Sequence, residues 1–336
     1  MRALVVTNMH PTPARPALGR FVADQVAALR RIDGVEVELF AFPPGLRSYP
    51  RAARALRRRY RGERFDVVHA HFGLTAWPAF AVRGAPHVVT FHGTDLAHPR
   101  SRALSRAALR CVTLATTVSA SLARERIAGA GVRRRVAVLP CGVDTERFRP
   151  LPRAEARARL GLDPGAPCLL FPADPARGEK RVDRARRLAG EVPLLTLGDV
   201  HPDEVPLWVN AANAVLVPSE REGFGLAVLE ALACDVPVLA TPVGVAPLAL
   251  GGIAGAHCGP FEEETWRRAL APHLAAADPR VAGRARAALL SADRMAERVL
   301  VAWRAIAAQS GGAGAGPGYT RRRGVRRAGS AASPDS

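Results

Sequence analysis

The chain has 336 residues, 48% of them hydrophobic and 23% charged, a balance typical of a globular protein of about two domains. No apolar run approaches the roughly 18 residues that cross a bilayer, and the run after Arg2 is too short for a secretory signal. The five cysteines are scattered and lack the spacing of metal ligands, so a reduced, cytoplasmic location is expected.

The net charge of +18 suggests an anionic partner, but one feature of the composition reduces its weight. Of the 48 basic residues only Lys180 is lysine, which indicates a coding bias towards arginine. Single arginines therefore carry little functional information. No nucleic-acid-binding motif accompanies the charge, and nucleic acid is not expected as a partner.

The first half of the chain alternates short apolar runs with helical patterns. Strands are predicted over residues 3–7, 35–42, 66–69, 87–91, 112–118 and 136–139, and helices over residues 19–30 and 52–61. Ser119 is the expected N-cap of a further helix. Strands and helices in regular succession predict βαβ units and a parallel sheet.

The second of these helices belongs to a strongly basic segment. Residues 51–64, RAARALRRRYRGER, are typical of a helix with one basic face. The segment is equally consistent with a solvated helix and with binding to an anionic lipid or acceptor. The second alternative would place the protein peripherally at the inner face of the cell membrane.

The alternation of strands and helices restarts after residue 150. A helix is predicted over residues 153–162, and strands over residues 168–171, 194–197, 214–217 and 236–240. The sequence thus predicts an N-terminal α/β domain over residues 1–150 and a second over residues 151–309, whose last helix is a candidate to pack back on the first. Residues 310–336 are too poor in apolar side chains to fold, so a disordered basic tail is expected.

A candidate binding site follows the predicted strand at residues 214–217. The strand leads through the loop PSEREGFG into a helix predicted to begin at Leu226. Ligands of open α/β sheets bind beyond the carboxyl ends of strands, where a helix N-terminus offers unpaired backbone N–H groups. Gly223 and Gly225 would let a phosphate approach these groups closely.

Glu230 lies one turn into this helix, in an apolar setting. Its neighbours at i−4, i−3, i+3 and i+4 are Leu226, Ala227, Ala233 and Cys234. A carboxylate among such residues either lines a cleft or is buried, and a buried charge without a partner is very unfavourable. The alternative is a structural carboxylate bonded to the nearby backbone or to an arginine.

Glu222 and Glu230 form an E-x7-E pattern in the stretch EGFGLAVLEALACDVPVLAT. This stretch resembles the signature of the retaining family 4 glycosyltransferases. Further similar segments follow in the family's order: GRFVADQVAAL (19–29), DVVHAHFG (66–73), VTFHGTD (89–95), VLPCGVDTERFRP (138–150) and EKRVD (179–183). The resemblance implies the GT-B fold, in which two Rossmann-like parallel-sheet α/β domains face each other across a cleft.

The resemblance also implies roles for residues at matching positions. Glu222 would bind hydroxyl groups of the transferred sugar, and Glu230 would bind the ribose hydroxyls of the nucleotide. Backbone amides near Phe224, Gly225 and Leu226 would contact the diphosphate or the sugar.

Further roles are implied outside this stretch. His92 would face the donor sugar from the first domain, and Gly19 would keep the first loop close to the donor phosphates. Lys180 falls where the family places a phosphate-binding lysine. The family's partner arginine commonly lies five residues earlier, where this chain has proline, so Arg177 or Arg181 is expected to replace it.

The resemblance predicts a retaining glycosyltransferase that uses a UDP-, GDP- or ADP-sugar. The expected acceptor is a cell-envelope, lipid-linked or small-molecule glycan. His92, Glu222 and Lys180 are the expected catalytic residues, and neither a metal ion nor another cofactor is expected. Two alternatives stay open: a GT-B epimerase or hydrolase that acts on nucleotide sugars, and a protein that binds nucleotide sugars without catalysis.

Overall fold

The computed structural model describes residues 1–97, 99–124 and 136–312 of the chain. These residues form two α/β units, each built on a parallel sheet, which confirms the predicted fold class. The last helix runs to Gly312, so residues 310–312, assigned to the tail from the sequence, are helical. The rest of the predicted disordered tail lies outside the described residues.

In the described residues, the first unit has six parallel strands in the order β2-β1-β3-β4-β5-β6. They are β1 (Arg2–Thr7), β2 (Glu36–Ala41), β3 (Val67–His71), β4 (His87–Phe91), β5 (Leu114–Thr117) and β6 (Val136–Val138). The helices are α1 (Arg20–Arg30), α2 (Ser48–Arg59), α3 (Ala76–Ala79), α4 (Thr94–Ala97), α5 (Pro99–Ala108) and α6 (Ala120–Leu122). All of β3 is buried, as expected for a central strand of a parallel sheet.

The second unit has five parallel strands in the order β11-β10-β9-β7-β8. They are β7 (Leu169–Phe171), β8 (Leu194–Thr196), β9 (Ala214–Val217), β10 (Val238–Ala240) and β11 (His257–Cys258). The helices that follow the first unit are α7 (Arg153–Leu160), α8 (Val182–Ala189), α9 (Val205–Ala211), α10 (Leu226–Ala233), α11 (Ala246–Leu250), α12 (Glu263–Ala275), α13 (Arg284–Ala288) and α14 (Ala292–Gly312).

Most element boundaries lie close to those predicted from the sequence. The predicted strands at residues 87–91 and 214–217 coincide with β4 and β9. The helix predicted at residues 52–61 begins earlier, at Ser48. β11 is not predicted, because a two-residue strand is too short to show a hydrophobic period. Ser119 is the N-cap of α6, and its hydroxyl accepts a hydrogen bond from the backbone N–H of Leu122 at 3.3 Å.

The final helix packs on the first unit, although it follows the second unit in the chain. In α1 the apolar residues Val22, Val26 and Leu29 recur with helical spacing and are buried. They share one hydrophobic cluster with Val299 and Trp303 of α14. Because α14 covers the first sheet, it ties the two units together at the end of the chain.

Two arginines of α7 are buried and satisfied by backbone carbonyl groups. Arg153 donates to the carbonyl oxygen of Ala212 at 2.7 Å, and Arg157 donates to those of Ala211 at 3.0 Å and Pro164 at 2.8 Å. Burial lowers the pKa of Arg153 to about 10. These arginines hold α7 against the residues that lead into β9, and their part in the molecule is structural.

Candidate functional site

A cleft of about 530 Å³ lies between the two units, at the carboxyl ends of their strands. The first unit contributes residues that follow β4 and β5, and the second contributes residues that follow β9 and β10. Six of the candidate site residues named from the sequence line this cleft: His92, Arg177, Lys180, Glu222, Gly223 and Phe224.

Asp95 holds the loop that carries His92. Its carboxylate accepts hydrogen bonds from the backbone N–H groups of His92 at 3.2 Å, Gly93 at 2.9 Å and Gly73 at 3.0 Å. Burial raises the pKa of Asp95 to about 6, against the lowering effect of these bonds. The sequence pattern predicts no role for Asp95, although the HGTD segment contains it.

The ring of His92 is held by aromatic neighbours and by a second histidine. Its centroid lies 4.8 Å from that of Phe21 on α1, 4.7 Å from that of Phe72 and 5.2 Å from that of His71. Nδ1 of His71 lies 3.0 Å from Nε2 of His92. Burial lowers the pKa of both rings, that of His71 to about 3. His92 therefore meets the cleft as a neutral imidazole in a fixed orientation.

In the second unit, Lys180 and Glu222 form an ion pair in the cleft wall. Lys180 Nζ lies 2.6 Å from Oε2 of Glu222, and the hydroxyl of Ser219 donates to Oε1 at 2.8 Å. Only 15% of the lysine side chain and 8% of the glutamate side chain are exposed. Two predicted site residues that are 42 positions apart in the sequence thus meet in the fold. Ser219 holds the carboxylate of Glu222 in place.

Two glycines bring the units into contact beside this ion pair. A Cβ atom on Gly223 would overlap the carbonyl oxygen of His92, and one on Gly93 would lie 3.2 Å from Cα of Gly223. Gly93 also has φ +102°, a conformation that favours glycine. Gly223 therefore lines the cleft and also meets the backbone of the opposite unit, a contact that the sequence does not predict.

The two candidate partner arginines of Lys180 are placed differently. Arg177 lines the cleft, and its guanidinium donates to Glu179 at 2.7 Å and 3.1 Å. Arg181 forms ion pairs with Asp183 and Glu220, and it is not among the described residues that line the cleft. The structure thus brings Arg177, but not Arg181, to the cleft wall.

The start of α10 adopts the predicted geometry. Gly225 is its N-cap, with a φ of 94° that favours glycine, and the helix begins at Leu226. Phe224 lines the cleft, whereas Gly225 and Leu226 are absent from the described residues of the lining. The contact of their backbone amides with a diphosphate or sugar stays a prediction.

Glu230 lies outside the described lining of the cleft, beside Arg147 and Asp24. Arg147 donates to Asp24 of α1 at 3.3 Å. These two residues come from the first 150 residues of the chain, whereas Glu230 lies on α10 of the second unit. Burial raises the pKa of Glu230 to about 7; Asp24 acts in the same direction and Arg147 against it. Nε and one terminal nitrogen of Arg147 are buried without a partner in the part of the chain that the structure describes. The binding of ribose by Glu230 stays a prediction.

Gly19 allows the loop after β1 to fold back on the start of α1. It caps α1 with a φ of 65°, and a Cβ atom there would overlap the carbonyl oxygen of Met9. Phe21, two residues later, contacts His92. Gly19 itself is absent from the described residues of the cleft lining, and its approach to donor phosphates stays a prediction.

Three surface and composition features bear on the remaining predictions. Within residues 1–97, 99–124 and 136–312, no group of three His, Cys, Asp or Glu side chains is placed to hold a metal ion. In those same ranges, no helix is both long enough and apolar enough to cross a membrane. The helix α2 exposes a row of arginines: Arg51, Arg54, Arg57, Arg58 and Arg59.

Two parallel-sheet α/β units that face each other across a cleft are the architecture of the GT-B fold. The sequence matches the family model described as Glycosyltransferase Family 4 over residues 3–147, and that described as Glycosyl transferases group 1 over residues 173–275. The chain belongs to family 4 of the glycosyltransferases, as the resemblance predicts.

Relatives and a solved structure agree with this assignment. A D-inositol 3-phosphate glycosyltransferase of Frankia alni is 33% identical over 239 residues, which cover 54% of this chain and 58% of that protein. One of Actinosynnema mirum is 30% identical over 309 residues, 73% of each chain. HepE of Anabaena, solved in complex with UDP and glucose, shares the fold with a TM-score of 0.64 at 16% identity, over 89% of this chain and 98% of that chain. The chain thus spans 58% and 73% of the lengths of the two relatives.

Proposed function

We propose that the protein is a retaining glycosyltransferase that moves a sugar from a nucleoside diphosphate sugar to an acceptor hydroxyl. The observation that carries the proposal is the ion pair of Lys180 and Glu222 in a cleft that His92 also lines. A phosphate ligand and a sugar-hydroxyl ligand are thereby adjacent, as the bond between sugar and phosphate in the donor requires.

The leaving diphosphate is stabilised by fixed positive charge. Lys180 supplies a compact ammonium group, and Arg177 supplies a guanidinium at the cleft wall. The start of α10 adds backbone N–H groups and the positive end of a helix dipole. The reaction therefore needs no metal ion. Full activity in excess EDTA is the expected result, and a loss that Mg²⁺ restores would contradict this part of the proposal.

The ion pair prepares both side chains for the donor. Ser219 holds Oε1 of Glu222, so Oε2 can accept from a sugar hydroxyl without a change of the side chain's position. Lys180 then turns its ammonium towards the diphosphate. Because each group has a partner before the donor binds, neither is left as a buried charge alone.

Retention follows from attack by the acceptor on the face that the diphosphate leaves. The leaving phosphate takes the proton of the acceptor, while Glu222 positions the sugar and Glu230 binds the ribose. Glu222 is bonded to Lys180, and Glu230 lies outside the described cleft lining, so they do not form the paired carboxylates of a hydrolase. The anomeric proton coupling of the product tests this: the donor's configuration is expected, and inversion would contradict it.

The donor is a UDP-, GDP- or ADP-sugar, with a UDP-sugar first because HepE was solved with UDP. A thermal-shift panel of the three donor classes identifies the nucleotide, since a ligand of the native state raises its melting temperature. Lys180→Ala and Glu230→Ala should each remove most of the transfer from the donor so identified. Near-normal activity in both variants would contradict the assignment of the site.

Turnover assays on the same donors, with and without an acceptor, separate the two other functions. Turnover of a nucleotide sugar that proceeds equally well without any acceptor would indicate an epimerase or hydrolase. A rise in melting temperature with no turnover under any condition would indicate a binding protein. Transfer that depends on an added acceptor supports the glycosyltransferase.

For the acceptor, we favour a small hydroxylated molecule that carries phosphate. The support is the two relatives described above, both of which are D-inositol 3-phosphate glycosyltransferases. Product formation from inositol phosphates and from unphosphorylated polyols, measured side by side, tests the need for phosphate.

A lipid-linked or cell-envelope acceptor is the second candidate, because α2 exposes a row of arginines. This candidate would place a cytoplasmic protein peripherally at the membrane. Sedimentation with vesicles containing anionic lipid at low salt is expected to carry the protein down, and the Arg54→Gln, Arg57→Gln, Arg58→Gln triple variant less so. A wild-type protein that stays in the supernatant with these vesicles would exclude membrane attachment through α2.

A further inference from the structure

His71 is a buried titratable residue with no place in the mechanism proposed above. It is the last residue of β3, and its ring stacks between those of His69 at 4.6 Å and His92 at 5.2 Å. We propose that His71 is a positioning residue that sets the tautomer of His92, so that His92 presents its Nδ1–H group to an oxygen of the donor. The ligand in this statement rests on the proposed function, whereas the tautomer does not.

His69, His71 and His92 form a stack, and a tryptophan contacts the His69 end of it. The indole Nε1 of Trp303 lies 3.2 Å from Nδ1 of His69, and an indole N–H can only donate. The single proton of neutral His69 therefore sits on Nε2, which lies 2.6 Å from the hydroxyl of Thr90. Both nitrogen atoms of His69 are thus occupied, and among the described residues His92 is the one histidine that hydrogen-bonds His71.

Two tautomer arrangements fit the 3.0 Å distance between His71 Nδ1 and His92 Nε2. If His92 donates, the proton of His71 must lie on Nε2, which is buried without a partner among the described residues. If His71 donates from Nδ1, its Nε2 is an unprotonated acceptor at that buried position. Buried backbone N–H groups without partners are rarer in proteins than under-satisfied backbone acceptors, and the same order applied to the imidazole favours donation by His71.

This choice decides what His92 offers to a ligand. If its Nε2 accepts from His71, the proton of the neutral ring lies on Nδ1, the nitrogen of this cleft-lining residue that is not bonded to His71. An N–H donor matches a hydroxyl or phosphoryl oxygen of a sugar nucleotide, whereas a bare nitrogen would repel a phosphoryl oxygen. The packing of Phe21 and Phe72 on the ring keeps the donor pointing in one direction.

The tautomer can be measured without any ligand. In the full chain labelled with ¹⁵N-histidine, the signals of His92 are assigned by their loss in His92→Gln. A protonated-type shift for Nδ1 and an unprotonated-type shift for Nε2 are expected. The opposite assignment would overturn the proposal.

Two variants of equal shape test the hydrogen bond itself. His71→Asn keeps an N–H group bonded to Cγ, where Nδ1 is bonded in histidine, and His71→Leu has nearly the shape of Asn without a donor. We expect the Leu variant to raise the KM for the donor about fivefold to tenfold, the loss typical of one hydrogen bond, with a smaller change in kcat. We expect Asn to restore most of this loss and to keep the Nδ1–H signal of His92.

The outcomes separate this proposal from the proposed function. Equal losses in the Asn and Leu variants, or a His92 tautomer that is the same in both, would show that His71 only fills space. A protein with the expected tautomer that binds no nucleotide sugar would contradict the proposed function and leave the tautomer assignment in force.

Discussion

The two walls of the cleft hold their polar groups by different means. On the first unit His92 is neutral, and it is held by aromatic rings and by a loop that Asp95 fixes. On the second unit Lys180 and Glu222 are charged, and a 2.6 Å ion pair holds them. Shape and hydrogen-bond direction hold the polar group of the first wall in place, and charge balance holds those of the second wall.

The two cleft walls should therefore respond differently to mutation. A change of shape should damage the contact between the walls even when no charge is altered. A change of charge in the second wall should damage transfer even when shape is kept. The four predictions that follow test these statements, from the largest expected effect to the smallest.

The largest effect is expected from Lys180→Ala. In the proposed mechanism the ammonium stabilises the leaving diphosphate, so its removal should lower kcat/KM by about 10²- to 10³-fold. Lys180→Arg keeps the charge but not the compact geometry, and it should restore only part of the activity. Arg186→Ala, on the exposed face of α8, is the matched control and should leave kcat/KM unchanged. A Lys180→Ala enzyme as active as this control would show that the charge of the second wall does not contribute to transfer.

A shape change without a charge change is provided by Gly223→Ala. The new Cβ atom would overlap the carbonyl oxygen of His92, so the two walls must separate. We expect donor affinity to fall about tenfold and the free energy of unfolding to fall by about 1–3 kcal/mol, as for other overpacked sites. Gly178→Ala is the control, because a Cβ atom there meets nothing within 4 Å. Equal affinities in the two variants would show that the contact does not matter for binding.

The sequence predicts the strands and some of the site residues, but not the contacts between the two units. The strands are predictable because β9 is a continuous apolar run and β4 is rich in β-branched and aromatic residues. The convergence of Lys180 with Glu222 is predictable from the family resemblance. The contact of Gly223 with the first unit is not, because it depends on how two separately folded sheets meet. The roles of Asp95 and of the His71 nitrogen depend equally on packing in three dimensions.

An intermediate effect is expected from Glu230→Gln, measured as stability against pH. The pKa of Glu230 is raised to about 7 in the folded protein from an ordinary value of 4.5, so its ionisation opposes folding. This penalty is absent well below pH 4.5, grows between pH 4.5 and about 7, and is constant above. Glu230→Gln should therefore stabilise the protein by about 1–3 kcal/mol at pH 8, and by less at pH 5.

Denaturant unfolding at both pH values measures this difference. The same variant should lose donor affinity, because the carboxylate is the proposed acceptor for the ribose hydroxyls. A Glu230→Gln protein that is less stable than wild type at pH 8 would instead indicate a structural carboxylate, the alternative that the sequence leaves open.

The smallest effect is expected from the choice between Arg177 and Arg181. Arg177 lines the cleft, but 48% of its side chain is exposed and Glu179 already pairs with it, so water and Glu179 both weaken its field at a diphosphate. Arg177→Ala should raise the KM for the donor only about threefold, and the difference from wild type should shrink in high salt. Arg181→Ala is the matched control, because Arg181 is itself absent from the described cleft lining and its charge is committed to Asp183 and to Glu220, which lines the cleft. A larger effect from Arg181 than from Arg177 would mean that the loop around Lys180 rearranges when the donor binds, and that charge balance in the second wall is set by the ligand as well as by the fold.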